Sequence, residues 1–351
     1  MKILVYIEKA AVRGGIEVFA ERHVARLRAE GHEVEVWSDI RQPMSDNLES
    51  DVECRLSSFD EIVVHKCSDV ATLEQFPPEK TVYYIHDHEP ICPRTYAYTP
   101  LKRNCSRPGG FWPCVFCAPL CRRWKPALRR VLSQKRRIAA MARFRKLVVI
   151  SEFMKSRLVA NGLPAEKVVV EPPEIKTGVT DGTSETGDGH FASLAGRACP
   201  AGRSAIDLLY VGQLVRGKGV QLLLEAMAKM KSRRTLDVVG TGNMEGELKA
   251  LAARLGLEDR VRFNGFQPNP LDWMRRASCV VVPSFWQEPY GLVAAEAVAL
   301  NRPVVAFAIG GLPEACHGKA TLVSPGDVGA LARALDDTDS LSSIDRENIQ
   351  W

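Results

Sequence analysis

Short apolar runs rich in β-branched residues recur along the chain, and several are separated by stretches with helical periodicity. In the first half the runs at 2–7, 33–37, 61–64, 81–86 and 147–150 read as strands. Between the first two, Ile16, Ala20, Val24 and Leu27 share one helical face, and Gly31 supplies a stop, so a helix is predicted over 16–30. This is a βαβ opening. His23 falls on that helix beside Arg22 and Arg26, where a packed or surface histidine is expected rather than a catalytic one.

After Pro172-Pro173 the periodicity dissolves into residues 177–204, rich in Gly, Thr, Ser and Asp, the composition of a linker or mobile insertion. A second series follows, with strands at 208–211, 236–239, 261–263, 279–282 and 303–307 and helices at 220–230, 245–255 and 292–300. Such alternation predicts an α/β protein with parallel sheets covered on both faces and ligands at the carboxyl ends of the strands. A chain of 351 residues also exceeds what one core usually organises. The expected division is a Rossmann-like domain over 1–172, a linker over 173–204 and a second Rossmann-like domain over 205–351.

A content of 46% hydrophobic and 25% charged residues excludes disordered and fibrous classes. No run of 18 uncharged apolar residues occurs, and the opening apolar run meets Glu8 and Lys9 too soon for a signal peptide, so a cytoplasmic location is expected. The net charge of +5 conceals an asymmetry: residues 122–146 carry eleven Lys or Arg and no Asp or Glu, leaving about −6 for the remainder by subtraction. Such a block suits an anionic surface, and its plainer reading is a solvated helix face. With Trp124, Leu128, Val131 and Leu132 spaced loosely at helical intervals, it resembles an interfacial helix for peripheral attachment at the inner face of a membrane. No nucleic-acid recognition module accompanies it, and no nucleic acid is expected as a partner.

Ten cysteines in a chain without an export signal read as thiols or ligands. Cys105, Cys114, Cys117 and Cys121 are structural-zinc candidates, with reduced thiols or occasional disulfides as the alternatives. They belong to a Cys-rich and basic insertion over about 90–146, which a metal would stiffen.

The chemistry concentrates in Ser-Phe-Trp-Gln-Glu-Pro-Tyr-Gly-Leu-Val-Ala-Ala-Glu at 284–296, which leaves a buried strand and puts one carboxylate, Glu288, before a helix and another, Glu296, inside it. Pro289 presets helix entry, Gly291 lets backbone approach a ligand, and the first-turn N–H groups of Leu292 and Val293 offer an anion site suited to a diphosphate. That helix start supplies only ~0.3–1 kcal/mol per favourable charge, so added cations are needed. Arg216 and Lys218 in the glycine-bounded turn 212–219 are the candidates, Lys218 the better placed. Gly14-Gly15 before the first helix and Gly240-Thr-Gly242 after a strand are further close-approach turns. His86-Asp-His-Glu89 ends a strand, and its first two members are candidates to orient an acceptor hydroxyl; strand geometry sends neighbours to opposite faces, which disfavours a metal cluster there. Asp337-Thr-Asp339 looks solvated.

Together these motifs resemble the family 4 retaining glycosyltransferases of the GT-B fold, whose signature Glu-x7-Glu is matched by Glu288 and Glu296. The likeness runs over about 1–335 and takes in the Gly-Gly turn, 212–219, Gly240-x-Gly242, Gly265-Phe266-Gln267 and Gly310-Gly-Leu-Pro-Glu314. It implies two Rossmann-like domains facing across a donor and acceptor cleft, and transfer of a sugar (hexosyl transfer) with retention from a UDP or GDP sugar to a hydroxyl of a glycan, glycolipid or lipid-linked acceptor in cell-surface polysaccharide or glycoconjugate synthesis. By resemblance, Glu296 would hold the donor ribose and Glu288 the transferred sugar. Lys218 and the backbone at Tyr290, Gly291, Leu292 and Val293 would hold the diphosphate, Gly265 to Gln267 would border the base, and Gly15 would approach the donor. Glu288, His86 and Lys218 are thus the catalytic candidates, Arg216, Gly240, Gly242, Phe266 and Gln267 further donor residues, and Glu17, His86 and Asp87 the acceptor side. No cofactor and no catalytic metal are expected.

The family commonly has Arg where this chain has Gln213, which removes a phosphate charge; Arg216 is expected to substitute, and an Arg216 that points to solvent would overturn that. The chain stops at Trp351, before the last helix that the fold usually returns to its first domain, so truncation and weaker interdomain order are expected. Two rival readings stay open: a sugar-nucleotide epimerase, which the Glu-x7-Glu spacing disfavours, and a non-catalytic sugar-nucleotide-binding scaffold.

Overall fold

The computed structural model describes residues 1–8, 15–38, 48–92, 104–105, 114, 124–175 and 206–338. The chain divides into two compact units, Met1–Pro173 and Glu174–Trp351.

In the first unit six parallel strands, β1 (Lys2–Ile7), β2 (Glu33–Trp37), β3 (Glu61–Lys66), β4 (Thr81–Ile85), β5 (Lys146–Val149) and β6 (Val168–Val170), lie in the order β2-β1-β3-β4-β5-β6. Parallel strands covered on both faces have no solvent side, which explains why Ile3, Leu4, Val5 and Tyr6 of β1 are all buried. The pleat splits them. Leu4 and Tyr6 join Ile62, Val64, Tyr83 and Ile85 in one core, while Ile3 and Val5 join Val63, Val82 and Tyr84 in another. Helix α1 (Gly15–Ala29) covers the second core with Val24 and Leu27, as its periodicity predicts. Among the described residues, four more helices are α2 (Leu48–Ser57), α3 (Val70–Gln75), α4 (Trp124–Arg143) and α5 (Glu152–Val159). Side chains cap two of them: Asp69 accepts from the Thr72 N–H at the start of α3, and Ser151 from the Met154 N–H at the start of α5.

Helix α4 corrects the sequence reading of its face. Val131, Ala140 and Met141 are buried, whereas Leu132 stands 62% exposed, so Val131 and Leu132 do not share one face. Adjacent residues on a helix are about 100° apart, which carries Leu132 past the edge of the buried stripe that holds Val131. Several of the basic residues are also committed internally. Arg137 is buried and donates to the Ser68 carbonyl, Arg136 pairs with Glu74, Arg145 with Glu61, and Lys146 with Glu171.

The second unit repeats the plan with β7 (Ile206–Val211), β8 (Leu236–Val239), β9 (Val261–Phe263), β10 (Ala277–Val282), β11 (Val304–Phe307) and β12 (Thr321–Val323), all parallel, in the order β12-β11-β10-β7-β8-β9. Its helices are α6 (Val220–Met227), α7 (Glu245–Arg254), α8 (Pro270–Arg276), α9 (Leu292–Ala299), α10 (Leu312–Ala315) and α11 (Val328–Asp336). Read from the other edge, the order is 3-2-1-4-5-6, with the chain reversing direction across the sheet between β7 and β10. Ligands of open α/β sheets bind at that switch point, outside the carboxyl ends of the strands. Among the described residues, no helix is long and apolar enough to cross a membrane.

Candidate functional site

The two strands flanking the switch point release the two loops that the motifs singled out. From β7 the chain enters Gly212 and reaches a single 3-10 turn at Arg216–Lys218; from β10 it enters Pro283 and reaches α9. The loops are laced together by backbone, the Phe285 N–H donating to the Gly217 carbonyl at 3.1 Å. Gly219 makes the approach possible. Its φ is 77°, and a Cβ there would lie 1.8 Å from the Pro283 carbonyl oxygen.

This closeness brings Lys218 to Glu288. Three donors converge on one carboxylate oxygen, Glu288 Oε1: Lys218 Nζ at 2.6 Å, Ser284 Oγ at 2.7 Å and Trp286 Nε1 at 2.9 Å. The Lys218 ammonium also stands 5.5 Å from the Trp286 ring centroid. Glu288 is buried, 7% exposed. Burial pushes its carboxyl up, but the Lys218 charge and the three hydrogen bonds outweigh burial and hold it below the usual carboxylate value. An ionised carboxylate is thus kept in a fixed orientation at the mouth of the switch point.

Eight residues on, Glu296 lies in α9 and is partly buried. The helix opens at Gly291, φ 117°, with no side-chain cap, which leaves the first-turn N–H groups of Leu292 and Val293 to other partners. The Tyr290 ring is buried with its hydroxyl 3.5 Å from His317 Nε2, so Tyr290 can offer a ligand its backbone rather than its side chain. The loops after β8 and β9 close the row. Leu214 N–H donates to the Thr241 carbonyl at 2.8 Å and Gly240 N–H to the Gly265 carbonyl at 2.7 Å. Gly240 therefore joins two of the loops, and at Gly242 an added Cβ would lie 2.3 Å from the Leu214 carbonyl oxygen. Gln267 is tied to the Asn264 carbonyl, and Phe266 beside it is 74% exposed.

Arg216 does not take the role that the missing charge at Gln213 suggested. It is exposed, and its guanidinium stands 3.9 Å from the still more exposed Glu247 carboxylate. The 3-10 turn is the reason: it rotates Lys218 inward and sends Arg216, two residues earlier, outward.

The first unit carries the other candidates at the carboxyl end of its own sheet. His86 follows β4 and is partly buried; its Nε2 lies 3.0 Å from Nδ1 of His65, whose Nε2 lies 3.1 Å from Nδ1 of His23. Asp87 accepts from the Glu89 N–H at 2.8 Å, and Glu89 accepts from the Ser68 hydroxyl at 2.7 Å. His88 turns away from His86 and is buried against Phe153. Gly15 and Glu17 form the first turn of α1. The sequence pattern does not single out His65, and it marks His23 as a packed or surface residue. The available signal was parity: Val63 and His65 of β3 share a face with Val82, Tyr84 and His86, the face that α1 covers.

Of the thiol set, Cys105 and Cys114 are described and partly buried, while Cys117 and Cys121 lie outside the described residues, as does Gly14. Among the described residues, no group of three His, Cys, Asp or Glu could hold a metal ion.

Residues 205–338 match the family of group 1 glycosyl transferases. The matched segment runs from just before β7 to just past α11 and contains the whole switch-point site. A D-inositol 3-phosphate glycosyltransferase of Streptomyces scabiei is 37% identical over 188 residues, 49% of this chain and 41% of that relative. The match thus spans well under half of the relative's length. Over nearly the whole chain, the structure is similar to Anabaena HepE in complex with UDP, with a TM-score of 0.66, 19% identity and coverage of 98% of this chain and 91% of that one. A glycosyltransferase of Rickettsia africae gives a TM-score of 0.68 at 16% identity, covering 97% and 89%. The fold is GT-B, with two parallel six-stranded sheets.

Proposed function

We propose that the chain transfers a sugar from a nucleoside-diphosphate sugar, with UDP as the favoured nucleotide, to a hydroxyl of a glycan, glycolipid or lipid-linked acceptor, with retention at the anomeric carbon. The observation that carries this reading is the ionised Glu288 held by Lys218, Ser284 and Trp286 at the switch point, eight residues before Glu296 on α9. Departure of a nucleoside diphosphate leaves negative charge on the phosphate and positive charge on the sugar ring. Lys218 and the N–H groups at the start of α9 answer the first, and the Glu288 carboxylate answers the second or orients the sugar hydroxyls. Glu296 holds the ribose, and the exposed Phe266 borders the base. The UDP in the similar HepE structure supports the choice of nucleotide. His86, Asp87 and Glu17 serve the acceptor. The exposed Leu132, with Lys125 and Arg129 exposed on the same helix, attaches the protein to an anionic membrane.

Thermal unfolding with UDP, GDP and ADP and their sugars tests the donor site. A ligand of the native state at a hundredfold excess over its Kd adds about 2.7 kcal/mol. UDP and a UDP sugar are expected to raise the Tm, and Glu296→Ala to abolish the rise. Stabilisation by none of them would favour a structural role instead. Donor hydrolysis or transfer by the same preparation distinguishes an enzyme from a binding scaffold.

A further inference from the structure

Three imidazoles stand in file in the first unit. His86 at the end of β4 meets His65 of β3 at 3.0 Å, and His65 meets His23 of α1 at 3.1 Å. His65 and His23 are 2% and 7% exposed. The rings share an aromatic enclosure. Tyr84 lies 4.9 Å from both His23 and His65, and Phe19 lies 4.8 Å from His86, centroid to centroid. The charged groups acting on His23 are Arg26 of the same helix and Glu171 after β6; Lys66, Asp87, Glu89 and Arg137 line a small cavity beside His65 and His86. Desolvation dominates at every ring. It lowers His23 to about 4 and His86 to about 3, and holds His65 well below its ordinary value, so all three are neutral.

A neutral imidazole has one N–H and one lone pair. A ring that accepts at one nitrogen must donate from the other, so the file has only two arrangements. Either every ring carries its hydrogen on Nε2 and the bonds run from His86 through His65 to His23, or every ring carries it on Nδ1 and they run back. In the first, His86 Nδ1 offers a lone pair; in the second, it offers an N–H.

We propose that His23, His65 and His86 form a tautomer relay, in which His23 and His65 are positioning residues that set whether His86 Nδ1 accepts a hydrogen bond from a substrate hydroxyl or donates one. The value of this to sugar transfer rests on the function proposed above; the relay itself does not. It makes His86 a neutral, oriented group rather than a cation, with its orientation fixed from α1, two hydrogen bonds away.

Ring-nitrogen NMR of the full chain, labelled with 15N-histidine and assigned through His23→Gln, His65→Gln and His86→Gln, tests it. At pH 7 the three rings are expected to be neutral and to show the same majority tautomer. His23→Gln is expected to change the tautomer ratio of His86 at least twofold. Opposite tautomers within the file, a cationic ring at pH 7, or an unchanged His86 in the variant would overturn the relay, and the wild-type spectrum alone decides if a variant fails to fold. Uniform tautomers in a protein that transfers no sugar would remove the functional reading and keep the relay. Mixed tautomers in an active transferase would do the reverse.

Discussion

Glu288 shows how a buried charge is retained. An isolated carboxylate in this position would take up a proton, and only the Lys218 ammonium with two neutral donors keeps it ionised. The pair should therefore be strongly coupled. Lys218→Met leaves the carboxylate buried without its cation, and a loss of about 3–5 kcal/mol is expected in urea unfolding of the second unit. Glu288→Gln alone is expected to cost less, and the double variant to recover at least about 1 kcal/mol over the Lys218 variant, because no buried charge is left uncompensated. Additive effects of the two substitutions would show that the pair is solvated. Transfer is expected to be lost in all three. Of this arrangement the sequence displays the carboxylate spacing and the lysine, but not Trp286 as a donor, since an indole in a loop declares no direction. The sequence ranks Lys218 above Arg216, as the structure has it, but it does not reveal that Arg216 turns outward and leaves the charge missing at Gln213 without a substitute.

Helix α4 illustrates what periodicity can and cannot supply. A basic stretch without acids is legible as an amphipathic helix, but which side faces the core depends on partners distant in the chain, here Ser68, Glu74 and the Ile91 carbonyl bonded by Gln134. Its arginines therefore divide by burial. Arg137→Ala is expected to cost about 1–3 kcal/mol, because the Ser68 carbonyl loses a charged donor in a buried setting. Arg136→Ala should cost less than Arg137→Ala, its pair with Glu74 being exposed to solvent. The double substitution Arg129→Ala, Leu132→Ala should leave stability within about 0.5 kcal/mol while reducing sedimentation with phosphatidylserine vesicles severalfold. Unchanged sedimentation would make this face an ordinary solvated one. Strands such as β1 and β11 are legible to within a residue or two because strands buried on both sides read as continuous apolar runs, whereas the edge strand β2 shows through its alternation of Glu with Val and Trp. The edge strands β6 and β12 do not stand out in the sequence, whereas β9, of the same three-residue length, does. The histidine file escaped because its members converge from a helix and two strands through sheet order, which no local window contains.

The two units should answer acid differently. In the first, three histidines have folded values below the unfolded value of about 6.5. The unfolded chain then binds more protons, so the stability they contribute is complete above about pH 6.5 and is lost as pH falls toward their folded values, by up to about 1.4 kcal/mol per ring per pH unit. In the second unit Glu288 is lowered, and its contribution is present above the unfolded value of about 4.3 and lost only as pH falls further. Hydrogen exchange followed by mass spectrometry at pH 7 and pH 5, corrected for intrinsic rates, should show protection falling in peptides of β3 and β4 while peptides of β7 and β10 hold. Equal losses in both units would contradict the assignment of neutral rings.

Both sheets are parallel throughout, and the centre of the second joins β7 to β10, with β8 and β9 and their helices intervening in the chain. Among the described residues, neither sheet holds a hairpin to nucleate cheaply. Each pairing must close a long loop before any ladder bond forms, so refolding should be slow, with valine-rich strands such as β10 waiting for their neighbours while still open to other chains. The strand order that creates the switch point thus also makes the newly made chain a natural client for a chaperone.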